Sequence, residues 1–307
     1  MLDKAQGLGS DQVFLDLEDS VSPLAKVGAR ANIVAALQSD DWDAARIRTV
    51  RVNDWSTEWT YGDVIAMVEG AGDRVDCIML PKVESSAHVV ALDLLLAQLE
   101  RSNGLPVGTI GIEAQIESAA GLIEVDAIAG ASSRTECLIF GPADFGASIG
   151  MRTLVVGDQP PSYEADAYHH ILMSILMAAR RHGIQAIDGP YGRIKDNDGY
   201  AKTAHRSASL GYDGKWVLHP DQIGIANEIY RPTQEEFDRA ENILDAYAWY
   251  TSSEGGAIGA VMFGDEMIDE ASRKMAVVVS AKGRAAGLAP SHRWEPPAGA
   301  ALPDQPA

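Results

Sequence analysis

Seven short apolar runs recur along the chain, at residues 12–17, 48–52, 77–80, 108–114, 136–140, 185–187 and 215–218. Runs of this length bounded by turn residues read as strands, and their near-continuous hydrophobicity as strands covered on both faces. Between them lie segments with apolar residues at three- and four-residue spacing, among them 25–37, 86–99, 165–181 and 197–210, with Gly183 and Gly211 just past the last two. That spacing, closed by glycine, predicts helices. Alternating strands and helices imply a parallel sheet. The predicted fold is therefore α/β, a (β/α)8 TIM barrel whose first strand is missing, because the chain opens on the helix-like stretch 2–9.

Past the seventh run the pattern changes. Residues 220–229 read as a helix, Arg231-Pro232-Thr233 as a break, and Thr233 as the N-cap of a helix over 234–250. A serine- and glycine-rich stretch, 251–260, leads to a short apolar segment and a last helix near 270–286. The final twenty residues hold five of the fourteen prolines and no isoleucine, valine or phenylalanine, too little apolar surface to offset the entropy of ordering. The expected organisation is a catalytic barrel over 1–230, a C-terminal helical lid or oligomerisation segment over 231–287, and a disordered tail over 288–307.

Composition narrows the function classes. The 307 residues are 46% hydrophobic, enough for a large core, and carry a net charge of −19. Such an acidic balance argues against nucleic acid and anionic membranes as partners. Only Cys77 and Cys137 could pair, both within apolar runs, so no disulfide framework is implied and a cytoplasmic location fits. The first residues lack the apolar core of a signal peptide, and Asp93 interrupts the one stretch approaching a membrane span.

Candidate chemistry gathers where the strands end. Glu18 and Asp19, Arg51 and Asn53, Lys82, Glu117, Asp144, Asp188 and His219 each follow or close a predicted strand, and barrel active sites form at the C-terminal strand ends. Glu117 and Asp144 close adjacent strands. Two such carboxylates point to Mg²⁺, with Mn²⁺ the alternative ion, because these hard cations take one or two carboxylates and leave other positions to water and substrate oxygens.

Two other signals compete. Gly146-Ala147-Ser148-Ile149-Gly150 matches a nucleophile elbow, with Asp188 and His219 following in hydrolase order; the elbow needs serine directly between strand and helix, whereas this strand closes before Asp144. His169 and His170 are neighbours on a helix and cannot face one another.

The segments Leu15-Asp16-Leu17-Glu18-Asp19-Ser20-Val21, Val50-Arg51-Val52-Asn53, Leu80-Pro81-Lys82-Val83-Glu84, Ile116-Glu117-Ser118, Gly141-Pro142-Ala143-Asp144-Phe145, Ala186-Ile187-Asp188-Gly189-Pro190-Tyr191, Gly214-Lys215-Trp216-Val217-Leu218-His219-Pro220 and Met267-Ile268-Asp269 occur in one order. Together they resemble the HpcH/HpaI aldolase and citrate lyase β-subunit family, nearest its malyl-CoA lyases. The resemblance implies a Mg²⁺-dependent lyase that splits a 3-hydroxyacyl-CoA into an acyl-CoA and a 2-oxo acid, or runs the reverse condensation. It implies Glu117 and Asp144 as metal ligands, Arg51 as the oxo-acid anchor, and Asp269 as acid/base on a lid reaching a neighbouring subunit. It also implies a homo-oligomer, a trimer or hexamer, with Lys4, Ile187 and Asp188 near CoA and Lys26 and Arg30 as further phosphate candidates. From the residues alone Asp269 is a helix N-cap. A different class, a non-catalytic CoA-binding or lyase-complex subunit, is the alternative.

Overall fold

The computed structural model describes residues 7–42 and 46–296. Seven parallel strands pair in chain order: β1 (Gln12–Asp16), β2 (Ile47–Arg51), β3 (Cys77–Leu80), β4 (Gly111–Ile116), β5 (Thr135–Phe140), β6 (Gln185–Asp188) and β7 (Gly214–Lys215). Each parallel connection needs a crossover. The crossovers are made by α1 (Lys26–Leu37), α2 (Thr60–Ala71), α3 (Ser86–Ser102), α4 (Ala119–Ile123) with α5 (Val125–Ala129), α6 (Pro142–Ser148) with α7 (His169–His182), and α8 (Asn197–Leu210); α9 (Asp221–Tyr230) follows β7.

The sheet is curled. On a flat sheet β1 and β4 would stand three strand spacings, about 14 Å, apart. Instead Gln12 Nε2 donates to Glu113 Oε1 at 2.7 Å, and Thr49 Oγ1 donates to the same oxygen at 3.1 Å. Phe14 of β1 stacks on Trp216, just past β7, with ring centres 4.4 Å apart. No pairing between β1 and β7 occurs among the described residues, so the sheet forms a partial barrel.

Strand alternation sorts the side chains. Leu15, Val50, Ile78, Ile112, Leu138 and Ala186 face the helices and form the main core. Met79, Cys137 and Ile139, with Phe14, Ile187 and Trp216, form a second cluster inside the curl. Beneath that apolar layer lie Gln12, Thr49 and Glu113. Glu113 is buried with Oε2 unpartnered, and burial pushes its carboxyl up to about 7 against the hydrogen bonds of Thr49, Gln12 and Cys77.

The chain divides into two compact units at Tyr230 and Arg231. In the second, Thr233 and Glu236 form a capping box for α10 (Gln234–Thr251). Gly283 of α11 (Glu270–Ala285) lies so close to the Phe237 ring that a Cβ would overlap it. An antiparallel hairpin, β8 (Val261–Phe263) and β9 (Glu266–Ile268), precedes α11. The short apolar segment expected between the two helices is thus this hairpin. The start of the expected tail is also packed: Ser291 bonds Asp238, His292 bonds Asn242, and Trp294 meets the rings of Trp249 and Tyr250. The imidazole of His292 and the indole of Trp294 supply there what aliphatic residues do not. No helix among the described residues is long and apolar enough to cross a membrane.

Candidate active site

The parallel register of β1 and β2 sets Asp16 beside Arg51 at their last residues. Arg51 Nε and Nη2 donate to the two Asp16 oxygens at 2.8 and 2.6 Å, a bidentate pair that fixes the plane of the guanidinium. Its Nη1 is 3.1 Å from Glu18 Oε2, and its carbon lies 5.6 and 5.5 Å from the centres of the Phe14 and Trp216 rings. Burial opposes ionisation of Asp16, but the hydrogen bonds and charge of Arg51 prevail and hold that carboxyl below its usual range. Asp16 was not singled out from the sequence; its role depends on strand register, which composition does not reveal.

The loop after β1 is held from behind. Buried Lys26 donates to the Leu17 and Glu18 carbonyls at 3.0 and 2.8 Å. Asn53 Nδ2 donates to Leu17 O and to Asp63, a fully buried carboxylate that also accepts from Arg30 Nε. Lys26 and Arg30, candidates for CoA phosphates, are therefore committed to the frame of the site. Asp63 escaped notice because it sits on α2, a helix the sequence pattern did not predict.

Glu117 follows β4 directly and is buried. Its Oε1 accepts the Lys82 peptide N–H at 2.7 Å and its Oε2 accepts Gln115 Nε2 at 2.9 Å. Burial first, then the nearby charges of Glu18 and Asp144, push its carboxyl up to about 8 despite the Lys82 hydrogen bond. Asp144 stands in the first turn of α6 with its side chain partly exposed. The Lys82 ammonium joins the group: it pairs with Glu18 and lies 3.9 Å from Asp19 and 4.0 Å from Asp144.

Glu18, Asp19, Arg51, Lys82, Glu117 and Asp144, six of the residues the sequence placed at strand ends, thus come together and are joined by Asp16. Their oxygens suit Mg²⁺. Among the described residues no three His, Cys, Asp or Glu side chains form a ready metal cage, so the fitting mode is the two-carboxylate one in which water and substrate complete the octahedron.

Other expected residues lie elsewhere. Asp188, expected near the thioester, is turned to the helix side of β6, because the strand points Ile187 inward and its neighbour outward. Its carboxylate accepts from Gly189 N, Ser207 Oγ and Lys215 Nζ at 2.8, 2.8 and 2.7 Å, a buried structural pair. Ile187 does face the interior, beside Trp216. His219 is partnered with Asp221 at 3.4 Å, and Ser148 Oγ donates to the Phe145 carbonyl, so Ser148, Asp188 and His219 do not form a Ser–Asp–His triad. His169 and His170 are exposed. Asp269 caps α11, accepting from Ala271 N and Ser272 N at 2.9 and 3.1 Å, both on Oδ1. Lys4 lies outside the described residues.

Residues 1–220 match the HpcH/HpaI aldolase/citrate lyase family. The chain is 38% identical over 288 residues to the L-malyl-CoA/beta-methylmalyl-CoA lyase of Cereibacter sphaeroides, covering 91% of this chain and 89% of that one. To the malyl-CoA/beta-methylmalyl-CoA/citramalyl-CoA lyase of Chloroflexus aurantiacus it is 32% identical over 280 residues, covering 86% and 78%. A solved structure of CitE from Mycobacterium tuberculosis, in complex with magnesium, acetoacetate and coenzyme A, is similar with a TM-score of 0.69 and 27% identity, covering 89% of this chain and 90% of that one.

Proposed function

The chain belongs to the HpcH/HpaI aldolase/citrate lyase family, and from that premise we propose that it is a Mg²⁺-dependent CoA-ester lyase of the malyl-CoA type. It cleaves a 3-hydroxyacyl-CoA into an acyl-CoA and a 2-oxo acid such as glyoxylate or pyruvate, or runs the condensation. The observation that carries this reading is the meeting of Glu117, Asp144, Lys82 and Arg51 on one rim of the curled sheet.

Glu117 and Asp144 hold the ion, which supplies Lewis acidity at the oxo-acid oxygens; Mn²⁺ suits the same ligands. Cleavage takes the hydroxyl proton, breaks the carbon–carbon bond, and leaves electron density on the thioester side that a proton must quench. Arg51 anchors the oxo-acid carboxylate. Asp16 takes Nε and one Nη2 hydrogen, and a guanidinium has five, so the fork is fixed in orientation with donors to spare. The apolar layer of Phe14, Trp216 and Ile187 below it excludes water from the reacting carbons.

Asp269 carries the proton, reaching the rim of a neighbouring subunit in a trimer or hexamer. Its Oδ2 takes no part in the helix cap, and the exposed Met262, Met267, Met275 and Val278 on the hairpin and α11 are the kind of surface a subunit contact buries. Buried free thiols at Cys77 and Cys137 fit a cytoplasmic enzyme.

The test is incubation with Mg²⁺ and a panel of malyl-, methylmalyl- and citramalyl-CoA, identifying the oxo acid by mass spectrometry. Release of glyoxylate or pyruvate that stops on chelation is expected. No metal-dependent release from any ester would return the chain to a non-catalytic CoA-binding role.

A further inference from the structure

Lys82 has a positive φ of 49°, which among the described residues only Ala257 shares outside the glycines. A side chain there costs conformational free energy that its surroundings must offset. The offsets lie at both ends of the residue. Its peptide N–H donates to Glu117 Oε1 at 2.7 Å, while its ammonium pairs with Glu18 and lies 3.9 and 4.0 Å from Asp19 and Asp144.

Glycine would adopt this backbone without strain and donate the same N–H, so the backbone alone gives no reason for lysine. The charge does. The Lys82 side chain is 35% exposed, against 2% for Lys215 in its structural pair with Asp188. One lysine is sealed into the frame, and the other opens on the rim.

We propose that Lys82 is a positioning residue that sets divalent-cation affinity: its left-handed backbone aims an N–H at Glu117, and its ammonium is a standing counter-charge to Glu18, Asp19 and Asp144 with which an arriving cation competes. The inference rests on the metal reading above. It adds that the free site holds Mg²⁺ weakly by design, since a resident cation already neutralises part of the carboxylate ring. An anionic oxo acid entering beside Lys82 draws off that positive charge, so substrate and ion favour each other's binding.

Calorimetric titration of the full chain with Mg²⁺ alone tests this without turnover. Lys82→Gln keeps the same backbone strain and removes the charge; Mg²⁺ should bind about tenfold more tightly, the order of effect that removing one nearby unit charge has on a doubly charged ion in a water-like dielectric. Lys82→Gly keeps the backbone geometry, also removes the charge, and should tighten binding likewise, which covers failure of the glutamine variant to fold. Lys82→Arg should retain the wild-type affinity. Equal or weaker binding in both uncharged variants overturns the role of Lys82 while leaving the metal site standing. Absence of saturable Mg²⁺ binding in the wild-type protein overturns the metal reading and this inference with it.

Discussion

The α-carbon of Gly141 lies against the side chain of Glu117 so closely that a Cβ on residue 141 would overlap both Oε2 and Cβ of that glutamate. Gly141→Ala should therefore displace the carboxylate. Overpacking a tight site costs about 1–3 kcal/mol, and loss of metal-dependent turnover should exceed what that destabilisation explains. Gly146, whose nearest neighbour to such a Cβ is Met151 at 3.7 Å, is the control. Melting curves and turnover for Gly141→Ala and Gly146→Ala should separate clearly, and equal behaviour would refute the contact.

Glu117→Ala and Asp144→Ala should each abolish Mg²⁺-dependent turnover with circular dichroism unchanged. Glu117 is buried and Asp144 partly exposed, so only the first should alter stability measurably. Full activity in the presence of EDTA would sink the assignment of both.

Glu113 gives a pH dependence unconnected with the rim. Its folded carboxyl is raised from 4.5 to about 7 by burial, so the folded state holds the proton more tightly than the unfolded one. Stability from this group is complete below pH 4.5 and is lost as pH rises through about 7. The difference amounts to about 3 kcal/mol. Glu113→Gln should remove that portion of the decline, read as a smaller drop in urea midpoint between pH 5 and pH 8. An unchanged drop would mean that other groups govern it.

Asp269→Asn separates capping from chemistry, because asparagine caps a helix about as well as aspartate. Stability should hold, while turnover should fall roughly 10²–10⁴-fold, the contribution of a positioned acid/base. Mixing inactive Asp269→Asn with inactive Glu117→Ala under subunit exchange should restore part of the activity. No recovery in demonstrably mixed oligomers would place the residue over its own barrel, and unchanged turnover in Asp269→Asn would leave it a cap alone.

Much of this was legible from periodicity, and the misses have physical causes. The fourth strand was expected from Gly108 but begins at Gly111, because the Glu100 carboxylate takes the amides of Gly108 and Ile110 at 2.9 Å each. A partner eight to ten residues upstream leaves no local pattern. Helix α2 has no side-chain cap at Trp59 and exposes Tyr61 at its start, so both its boundary signal and its apolar face were blurred. The hairpin did carry a signal: Gly264 and Asp265 stand between the apolar Val261-Met262-Phe263 and the Met267-Ile268 pair, and Gly264 takes a positive φ of 64°. Glu117 and Asp144 were readable because carboxylates after apolar runs stand out. Asp188 misled for the same reason, since strand polarity and not the motif decides which way a terminal carboxylate points.

The seam between β1 and β7 bears on how the protein behaves in concentrated solution. An unpaired strand edge can template the strand of another molecule. Here β7 pairs over only two residues, too short a ladder to seed such growth. The opposite edge, β1, is pinned across the interior through Gln12 and Glu113 and capped by the Phe14–Trp216 stack. Peeling β1 outward would have to break a partly buried polar contact as well as an aromatic one, so its amides should exchange with solvent slowly for an edge strand. The open side of the sheet is thereby guarded against self-association by the side chains that line its interior.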